Sequence, residues 1–386
     1  MIAVIADDFT GAAEVAGICL REGVSVSMLT DIPDAEHLRA LTTDVVVLAE
    51  NTRSFTREGA VKISRLLAVQ LKEAGLTCVV KKIDSVLRGW ILPEMEAIAS
   101  VFGHESLLIQ PANTDTGRSV RNGMYFVGET LLSDTPFSND PDFPAVCSSV
   151  EKLLEHRGGQ RTLPIPYQVP DAQTDADLLH SVRLSNGNVL AGGSAAFWKA
   201  FLCNRIRLGM IKPMPVQPAV DDRFSLQDSL MICGSAHENS KVFTRNLAAA
   251  GFPVLALPEA LCRQQKPAYD EFLAFVNLCT ETWKRQHRLL IRLDAEPDFP
   301  QAPEAFGYRL TEIFYLVFTA TRPSRLLIEG GATASSILKR MGWSSFTPVR
   351  EWLPGVVELH LNEEPFCNIT LKPGSYAWPE FDYENH

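Results

Sequence analysis

The sequence lacks the features that mark several large classes of protein. Its eight cysteines include no CxxC pair, and most lie in apolar runs, as Cys233 does in LMICGS. Buried free thiols are therefore expected, and these suit the reducing cytosol. The formal net charge is −10, and the sequence contains no cluster of Lys or Arg. A nucleic-acid partner is therefore not expected, because binding to a phosphate backbone requires a basic surface. No stretch of about 18 uncharged apolar residues and no secretory leader is present. We expect a cytoplasmic protein without a membrane span.

Several familiar catalytic motifs are also missing. The chain has no GxxxxGK[ST] phosphate loop, no HExxH and no GxSxG, and GxGxxG does not follow the first strand of either half. These absences argue against a P-loop enzyme, a zinc protease, an α/β-hydrolase and a dinucleotide-dependent redox enzyme. The eight histidines show no paired metal-ligand spacing, so no residue is predicted to bind a metal directly.

What the sequence does contain is a regular alternation of apolar runs and amphipathic stretches. Strands are predicted at 2–6, 24–29, 45–49, 78–83, 107–111 and 188–193, and again at 230–234, 254–257, 289–293 and 326–328, with helices between most of them. The runs are rich in Val, Ile and Leu without strict alternation, which is typical of a sheet covered on both faces. The predicted fold class is α/β, with mostly parallel sheets flanked by helices.

The length of 386 residues favours two domains. Residues 210–224 hold several prolines and little periodicity, so they are the best linker candidate. The predicted domains are therefore 1–210 and 225–386. Residues 112–170, rich in Gly, Pro, Asn and Asp but also in aromatics, are interpreted as a long ordered excursion from the first core.

Two charged segments follow predicted strands of the first domain. Asp7 and Asp8 come directly after the first strand, in ADDFTGA, where ligands bind in open parallel sheets. One of the two carboxylates could take a proton from a substrate hydroxyl, although either could simply cap the next helix. The second segment, KKIDSVLRG at 81–89, gathers cations, a carboxylate and a serine, which suits a small-anion site. Arg118, in the excursion, could reach over a bound anion.

Glycine turns follow other predicted strands. AGGS at 191–194 suits either a ligand or close helix packing, and the sequence does not decide between them. In the second domain, Gly234-Ser235-Ala236 and Gly330-Gly331-Ala332-Thr333 each open a helix, where backbone N–H groups are available to an anion. With Lys372-Pro373-Gly374 they are interpreted as a phosphate cradle.

Together these segments resemble the four-carbon acid sugar kinase family, which includes threonate, erythronate and 3-oxo-tetronate 4-kinases. The family's ADD-x-TGA opening matches 6–12, and its K-x-DS-x-LRG element matches 82–89. A P-A…GR…NG stretch followed by DP-x-x-P matches positions between 111 and 144, and the later glycine turns come in the same order. The similarity extends nearly from end to end.

The resemblance implies an ATP-dependent kinase acting on the terminal hydroxyl of a four-carbon sugar acid, in a cleft between the two domains. It implies Asp8 as the catalytic carboxylate, with the acid sugar bound by Asp7, Lys82, Asp84, Arg88 and Arg118. It implies that ATP, with Mg²⁺ held largely by its phosphates and water, binds at Ser235, Gly330, Gly331, Ala332, Thr333 and Gly374. A homodimer is the default assembly for such a metabolic enzyme.

The chain departs from the family pattern at several positions. Ala332 stands where an acidic residue is common, and Tyr376, Ala377 and Trp378 stand where the family has a Gly-rich end. Val86 and Trp90 replace the usual Thr and Asn. These differences keep open a catalytically impaired relative that binds acid sugars. A lyase or aldolase that uses the amine of Lys81 or Lys82 is a further alternative.

Overall fold

A computed structural model describes residues 1–140, 142–159, 164–215, 224–235, 238–263, 269–293, 303–374 and 376–380. The chain forms two compact units, Met1–Val216 and Gln217–His386. The division between them lies within the proline-containing stretch 210–224, of which 216–223 are outside the described residues. Each unit is a helix-flanked, mostly parallel sheet, as the sequence predicts.

The first unit begins with β1, which follows Met1 directly. Its strands are β1 (Ile2–Ala6), β2 (Val26–Leu29), β3 (Val45–Ala49), β4 (Val79–Lys82), β5 (Ser106–Gln110), β6 (Arg118–Arg121), β7 (Met124–Val127), β8 (Thr130–Leu131), β9 (Tyr167–Gln168) and β10 (Val189–Gly193). Its helices are α1 (Phe9–Arg21), α2 (Ala35–Ala40), α3 (Arg57–Glu73), α4 (Ile91–Phe102), α5 (Val150–Gly158), α6 (Asp175–Leu184) and α7 (Ala195–Arg207).

The main sheet of this unit has the order β2-β3-β1-β4-β10-β5-β9, and every pairing in it is parallel. All residues of β1 and β3 are buried, because helices cover both faces. The strand order reverses at β1, whose neighbours are β3 and β4. In register, Ala6 of β1 is level with Ala49 of β3 and Lys82 of β4. The three loops that follow these strands therefore leave the sheet side by side.

The described part of the long excursion, 112–140, 142–159 and 164–170, contains more regular structure than its composition suggests. Strands β6, β7 and β8 form a small antiparallel sheet, and α5 and β9 follow it. The helices α2, α5 and α6 were not predicted. Their starting signals were nevertheless present, since Asp34 and Ser149 cap α2 and α5, and Thr174 forms a capping box with Asp177 at α6.

The second unit repeats the parallel plan and adds an antiparallel edge. Its strands are β11 (Ser229–Cys233), β12 (Val254–Ala256), β13 (Arg288–Arg292), β14 (Arg325–Glu329), β15 (Ser345–Leu353), β16 (Val356–Leu361) and β17 (Asn368–Lys372). Its helices are α8 (Glu238–Ala249), α9 (Glu259–Arg263), α10 (Tyr269–Gln286), α11 (Pro303–Thr321) and α12 (Gly331–Met341). Of these elements, β15 and α9 were not predicted.

The sheet order in this unit is β12-β13-β11-β14-β17-β16-β15. The pairings are parallel from β12 to β17 and antiparallel for β16 and β15. Here the order reverses at β11, between β13 and β14. Cys233 is level with Glu329, and Glu329 is level with Lys372. The turns after β11, β14 and β17 therefore lie together at one edge of the sheet.

Candidate active site

In the first unit, one arginine joins the loops that follow β1, β3 and β4. The Nη2 atom of Arg53 lies 2.9 Å from Asp7 Oδ2, 3.3 Å from Asp8 Oδ1 and 3.6 Å from Asp84 Oδ1. Its Nε atom also donates to Asp7 Oδ2 at 3.1 Å. The side chain is 20% exposed, and among the described residues Nη1 has no hydrogen-bond partner. The aspartates therefore bind Arg53 through Nε and Nη2, and the Nη1 edge of the guanidinium remains available to a ligand.

Arg53 was missed in the sequence because no motif marks it. The feature that could have indicated it is its position three residues after Glu50, in the loop that follows the buried strand β3. Asn51 adopts the left-handed conformation with φ 52°, and the short 3₁₀ turn Thr52–Ser54 then carries Arg53 back over the sheet edge. Because β3 is next to β1 in the sheet, a search for charged residues at all the strand ends would have included it.

Asp7 and Asp8 have different environments although they are adjacent. The Asp7 side chain is 3% exposed, and its Oδ1 atom is buried without a hydrogen-bond partner among the described residues. Burial raises the pKa of Asp7 to about 6, and the Arg53 charge opposes this. Asp8 is 20% exposed. Burial would raise its pKa too, but Arg53, Lys82 and the Thr10 hydroxyl together hold it below its usual value.

Asp8 also caps α1, which is the alternative role that the sequence left open for this motif. Its Oδ1 accepts a hydrogen bond from Gly11 N at 2.9 Å, and its Oδ2 accepts one from Thr10 Oγ1 at 2.6 Å. A Cβ atom on Gly11 would lie 2.6 Å from Asp8 Oδ1, so this position requires glycine. The cap fixes the carboxylate at the sheet edge, which is compatible with a role in chemistry.

Asp84 serves as the internal anchor of the 81–89 loop. Its carboxylate binds the Arg88 guanidinium through two hydrogen bonds of 2.8 and 3.1 Å. It also accepts from the backbone N–H groups of Val86 and Arg88, at 3.1 and 3.2 Å. Burial opposes ionisation, but the Arg88 and Arg53 charges hold the pKa of Asp84 far below its usual range. Asp84 therefore positions the two arginines, and we assign it no direct contact with a ligand.

The two lysines at the end of β4 point to opposite sides of the sheet. Lys82 lies 3.4 Å from Glu14 of α1 and donates to the carbonyl of Ile83 at 3.2 Å. Lys81 is fully buried between Glu50 and Glu94, at 2.6 and 2.7 Å from their carboxylates. Burial raises the pKa of Glu50 to about 7, and the two carboxylates keep Lys81 protonated despite burial. The two adjacent lysines therefore have different surroundings, and Lys81 belongs to the interior.

Arg118 joins the same site from the excursion. It donates to Ser85 Oγ in the 81–89 loop, and its guanidinium lies 5.5 Å from the centre of the Phe137 ring. Trp90 ties the loop from its other end, since its indole N–H donates to Phe55 O at 2.9 Å. All the charged residues predicted for acid-sugar binding, Asp7, Asp8, Lys82, Asp84, Arg88 and Arg118, are thus brought to one edge of the first sheet.

Two other predicted motifs of the first unit serve packing. Asn122 and Gly123 form the turn between β6 and β7, and both backbone N–H groups donate to Asp171. At the AGGS turn, a Cβ on Gly193 would lie 2.3 Å from the Phe197 ring, and Ser194 caps α7. The structure therefore shows close helix packing at this turn. Pro141, in the predicted DP-x-x-P match, lies outside the described residues.

In the second unit, the three predicted turns converge. A Cβ on Gly234 would lie 1.9 Å from Thr333 Oγ1, and a Cβ on Gly374 would lie 2.6 Å from Ser235 Oγ. Gly330 has φ 102°, which favours glycine, and α12 begins at the next residue. The turns after β11, β14 and β17 therefore pack closely against one another, and glycine at 234 and 374 permits this packing. Ala236, the last residue of the first turn, lies outside the described residues.

A buried ion pair lies beneath these turns. Lys372 Nζ is 3.0 Å from Glu329 Oε1, and both side chains are at most 1% exposed. The ammonium also donates to the carbonyls of Pro373, Gly374 and Tyr376, at 3.0, 3.4 and 2.7 Å. The Lys372 ammonium thus has its acceptors inside the protein, and its part in a phosphate cradle stays a prediction. Lys372 folds the segment after β17 around itself.

Two polar side chains complete this buried pair. Ser240 of α8 donates to Glu329 Oε1, and its hydroxyl is 3.1 Å from Ser235 Oγ and 3.3 Å from Gly374 O. The indole N–H of Trp378 donates to Glu329 Oε2 at 2.8 Å. The Glu329 carboxylate is thus shared by three donors, and it links the ends of β14 and β17 to the start of α8.

Comparisons with known proteins agree with this arrangement. A family model described as the sugar-binding N-terminal domain matches residues 2–179, which include every charged side chain of the first site. The 3-oxo-tetronate kinase of Cupriavidus necator is 24% identical over 99% of this chain and 95% of its own length. That of Haemophilus influenzae is 31% identical over 171 residues, which are 43% of this chain and 41% of that protein. The chain is therefore similar to 3-oxo-tetronate kinases along nearly its whole length, and its first unit matches the sugar-binding domain model.

A solved structure has a similar fold. The crystal structure of Haemophilus influenzae protein HI1011, of the family DUF1537, covers 99% of this chain and 98% of its own, with a TM-score of 0.69 and 20% identity. Within the described part of this chain, no helix is long and apolar enough to cross a bilayer. The described residues also contain no group of three or more His, Cys, Asp or Glu side chains that could hold a metal ion.

The departures from the acid sugar kinase pattern have clear positions. Ala332 is exposed in the first turn of α12, so no side chain there reaches a buried partner. Trp378 is 8% exposed and packs with Phe224 and Phe243, with ring centres 6.0 Å apart in each case. The large Trp378 side chain is therefore buried in the hydrophobic core of this unit. Ser375, which stands where the family has its Gly-rich end, lies outside the described residues.

Proposed function

We propose that the chain is an ATP-dependent kinase for the terminal hydroxyl of a four-carbon sugar acid of the threonate, erythronate and 3-oxo-tetronate class. The observation that carries this proposal is the Arg53-centred cluster of three aspartates and neighbouring cations at the carboxyl ends of β1, β3 and β4. Such a cluster offers both cations for a carboxylate and carboxylates for hydroxyl groups, which are the two kinds of group that a sugar acid carries.

The substrate carboxylate is assigned to the cations at the rim of the site. Arg53 is 20% exposed and its Nη1 has no hydrogen-bond partner in the described part of the chain, Arg88 is a third exposed, and Arg118 reaches in from the excursion. Guanidinium groups match a carboxylate in a planar, two-point geometry, and Asp7 and Asp84 hold two of them in fixed orientations. Lys82, paired with Glu14 at 3.4 Å, adds a point charge on the other side of Asp8.

Asp8 is assigned to the hydroxyl that attacks the phosphoryl group. Its lowered pKa keeps it ionised at neutral pH, so it can accept a hydrogen bond from that hydroxyl and later its proton. A strong base is not required, because the transition state of phosphoryl transfer is loose and catalysis depends mainly on positioning and charge. The cap on α1 supplies that positioning. Asp7, with its buried and unpartnered oxygen, orients Arg53.

The nucleotide is assigned to the second unit. The turns at Ser235, Gly330 to Thr333 and Gly374 meet at one edge of the sheet, and the start of α12 adds helix N–H groups that favour phosphate. Mg²⁺, when bound to the nucleotide, would neutralise charge on the transferring phosphate, and we assign it no protein ligand. A cleft site at which the two substrates meet remains a prediction.

The structure gives no support to a lyase that uses an amine nucleophile. Such chemistry requires a neutral lysine, usually desolvated near another cation. Lys81 is instead buried between two carboxylates that keep its pKa above the ordinary value. Lys82 has Glu14 as its neighbour.

An ADP-release assay tests the proposal. Purified protein is incubated with Mg-ATP and, separately, with the stereoisomers of threonate, erythronate and 3-oxo-tetronate. We expect ADP release that depends on one of these acids, and a ³¹P NMR signal of a phosphate monoester at its terminal carbon. The proposal is wrong if the protein binds one of the acids but releases ADP with none of them.

A further inference from the structure

A buried arginine of the excursion, Arg157 in the last turn of α5, has no part in the site described above. It is 9% exposed, and among the residues that the structure describes it forms no ion pair with a carboxylate. Its guanidinium donates instead to four backbone carbonyls, those of Val86, Leu87, Phe143 and Pro144. A buried cation without a bound carboxylate is costly, and these four contacts lie on two separate segments of the chain.

The first of these segments is the turn 84–88, which is bound by an anion at its N–H groups and by a cation at its carbonyl groups. The Asp84 carboxylate accepts from the backbone N–H groups of Val86 and Arg88, at 3.1 and 3.2 Å. Nη1 of Arg157 donates to the carbonyls of Val86 and Leu87. Leu87 has φ 66°, a left-handed conformation that is uncommon for any residue but glycine. Arg157 therefore stabilises a turn that the local sequence disfavours.

The second segment also leads to Arg88. Nη2 of Arg157 donates to the carbonyls of Phe143 and Pro144, at 2.7 and 3.1 Å. The backbone N–H of Phe143 donates in turn to Asp140 Oδ1 at 2.8 Å, and Asp140 Oδ2 lies 3.7 Å from Arg88 Nη1. Arg157 is thus linked to Arg88 by two routes, through the backbone of the turn and through Asp140.

From these contacts we infer that Arg157 is a positioning residue, which holds the turn 84–88 and Asp140 so that Arg88 presents its guanidinium to the carboxylate of the sugar acid. The inference rests on the proposed function, because the role of Arg88 in carboxylate binding belongs to it. Arginine suits this position, since its planar fork binds two segments at once through two terminal nitrogens, whereas lysine has a single nitrogen.

Calorimetric titration with threonate, erythronate and 3-oxo-tetronate tests the inference in three variants. Arg157→Met removes the charge and all four donated bonds. Arg157→Lys keeps the charge on one nitrogen, and it carries the same comparison if Arg157→Met does not fold. The matched control is Leu153→Ala on the same helix, since Leu153 is fully buried in the hydrophobic core. That change destabilises α5 but removes none of the bonds to the two segments.

We expect Arg157→Met to weaken binding of the acid about tenfold or more, Arg157→Lys to weaken it less, and both to leave the Kd for ATP unchanged. Leu153→Ala should bind the acid as the wild type does, although it unfolds at a lower temperature. In turnover assays the loss should appear in KM and not in kcat, because Arg88 is assigned to the carboxylate and not to the reacting hydroxyl. Equal weakening in Leu153→Ala, or a fall in kcat at unchanged KM, overturns the inference.

A double-mutant cycle with Arg88→Met separates positioning from a general effect on stability. Because Arg157 acts through Arg88, Arg157→Met should change the Kd for the acid little in protein that already carries Arg88→Met. Additive losses in the double variant overturn the inference. Wild-type protein that binds one of the acids but releases no ADP overturns the proposed kinase activity alone, since the cycle measures binding. Wild-type protein that binds none of the acids overturns both.

Discussion

The two sheet-edge sites have the same place in their units but opposite composition. Each lies where the strand order reverses, at β1 in the first unit and at β11 in the second. In the first, charged side chains face the edge and Arg53 joins three of them. In the second, the buried ion pair of Lys372 with Glu329 turns inward and leaves the edge to glycine turns. We therefore propose that the first site recognises its ligand through side chains and the second through the backbone.

This difference suits the two proposed ligands. A sugar acid is small and carries several hydroxyl groups, so its recognition requires side chains at defined positions. A nucleotide phosphate can be bound by N–H groups that any sequence supplies, provided that glycine lets the backbone approach. The predictions below separate the two sites, from the largest expected effect to the smallest.

The largest effect is expected from Asp8→Asn. Asparagine keeps the cap on α1, since it accepts from Gly11 N as Asp8 does, but it cannot take a proton. We expect kcat to fall by about 10²–10⁴-fold while the Kd for ATP is unchanged. The measurement is steady-state turnover beside calorimetric ATP titration. Weakened ATP binding in this variant would argue against the separation of the two sites.

A second large effect is expected on stability, from Lys81→Met. This change leaves Glu50 and Glu94 buried without their shared cation, and loss of one partner of a buried pair costs about 3–5 kcal/mol. Urea unfolding at pH 7 measures this cost. The cost should shrink at pH 5, where a carboxylate can be neutralised by a proton.

Glu50→Gln is the control for that change. Because burial raises the pKa of Glu50 from 4.5 to about 7, the folded state binds a proton that the unfolded state has lost. The wild type should therefore lose stability as the pH rises from about 4.5 to 7, and Glu50→Gln should reduce this loss, whereas Asp7, whose pKa burial raises to about 6, still contributes to it. An unchanged pH profile in Glu50→Gln would show that the proton is held elsewhere.

An intermediate effect, confined to the second site, is expected from Lys372→Met. The change leaves the Glu329 carboxylate buried without its cation and releases the carbonyls of Pro373, Gly374 and Tyr376. We expect a loss of about 2–4 kcal/mol in the free energy of unfolding and weakened ATP binding. The Kd for the sugar acid should be unchanged. If sugar-acid binding weakens equally, the contrast between the sites fails.

The smallest effect is expected from Ala332→Glu, which restores the acidic residue common in the family. The residue is exposed in the first turn of α12, where a negative charge stabilises the helix by about 0.3–1 kcal/mol. A small rise in melting temperature is expected without ligand, with Ala332→Gln as the uncharged control. Equal shifts in the two variants would mean that the charge contributes nothing.

The sequence revealed the first site better than the second. Asp7, Asp8 and the 81–89 segment stand out as charges at strand ends, and parallel strands bring such ends together. Arg53 was not predicted, because its contact with the aspartates depends on the strand order, which places β3 beside β1. The surroundings of Lys372 were hidden from the sequence for a related reason. A lysine near a glycine turn suggests a phosphate, and only the pairing of β14 with β17 shows that Glu329 lies level with it.

The most direct test of the separation between the two sites is hydrogen–deuterium exchange of the wild-type protein with one ligand at a time. With the sugar acid that supports turnover, we predict slowed exchange in peptides that cover 7–12, 50–55 and 81–90. With ATP, we predict slowed exchange in peptides that cover 329–335 and 370–378, and none of comparable size in the first set. Protection of the first set by ATP alone, or of the second set by the sugar acid alone, would contradict the assignment of the two ligands.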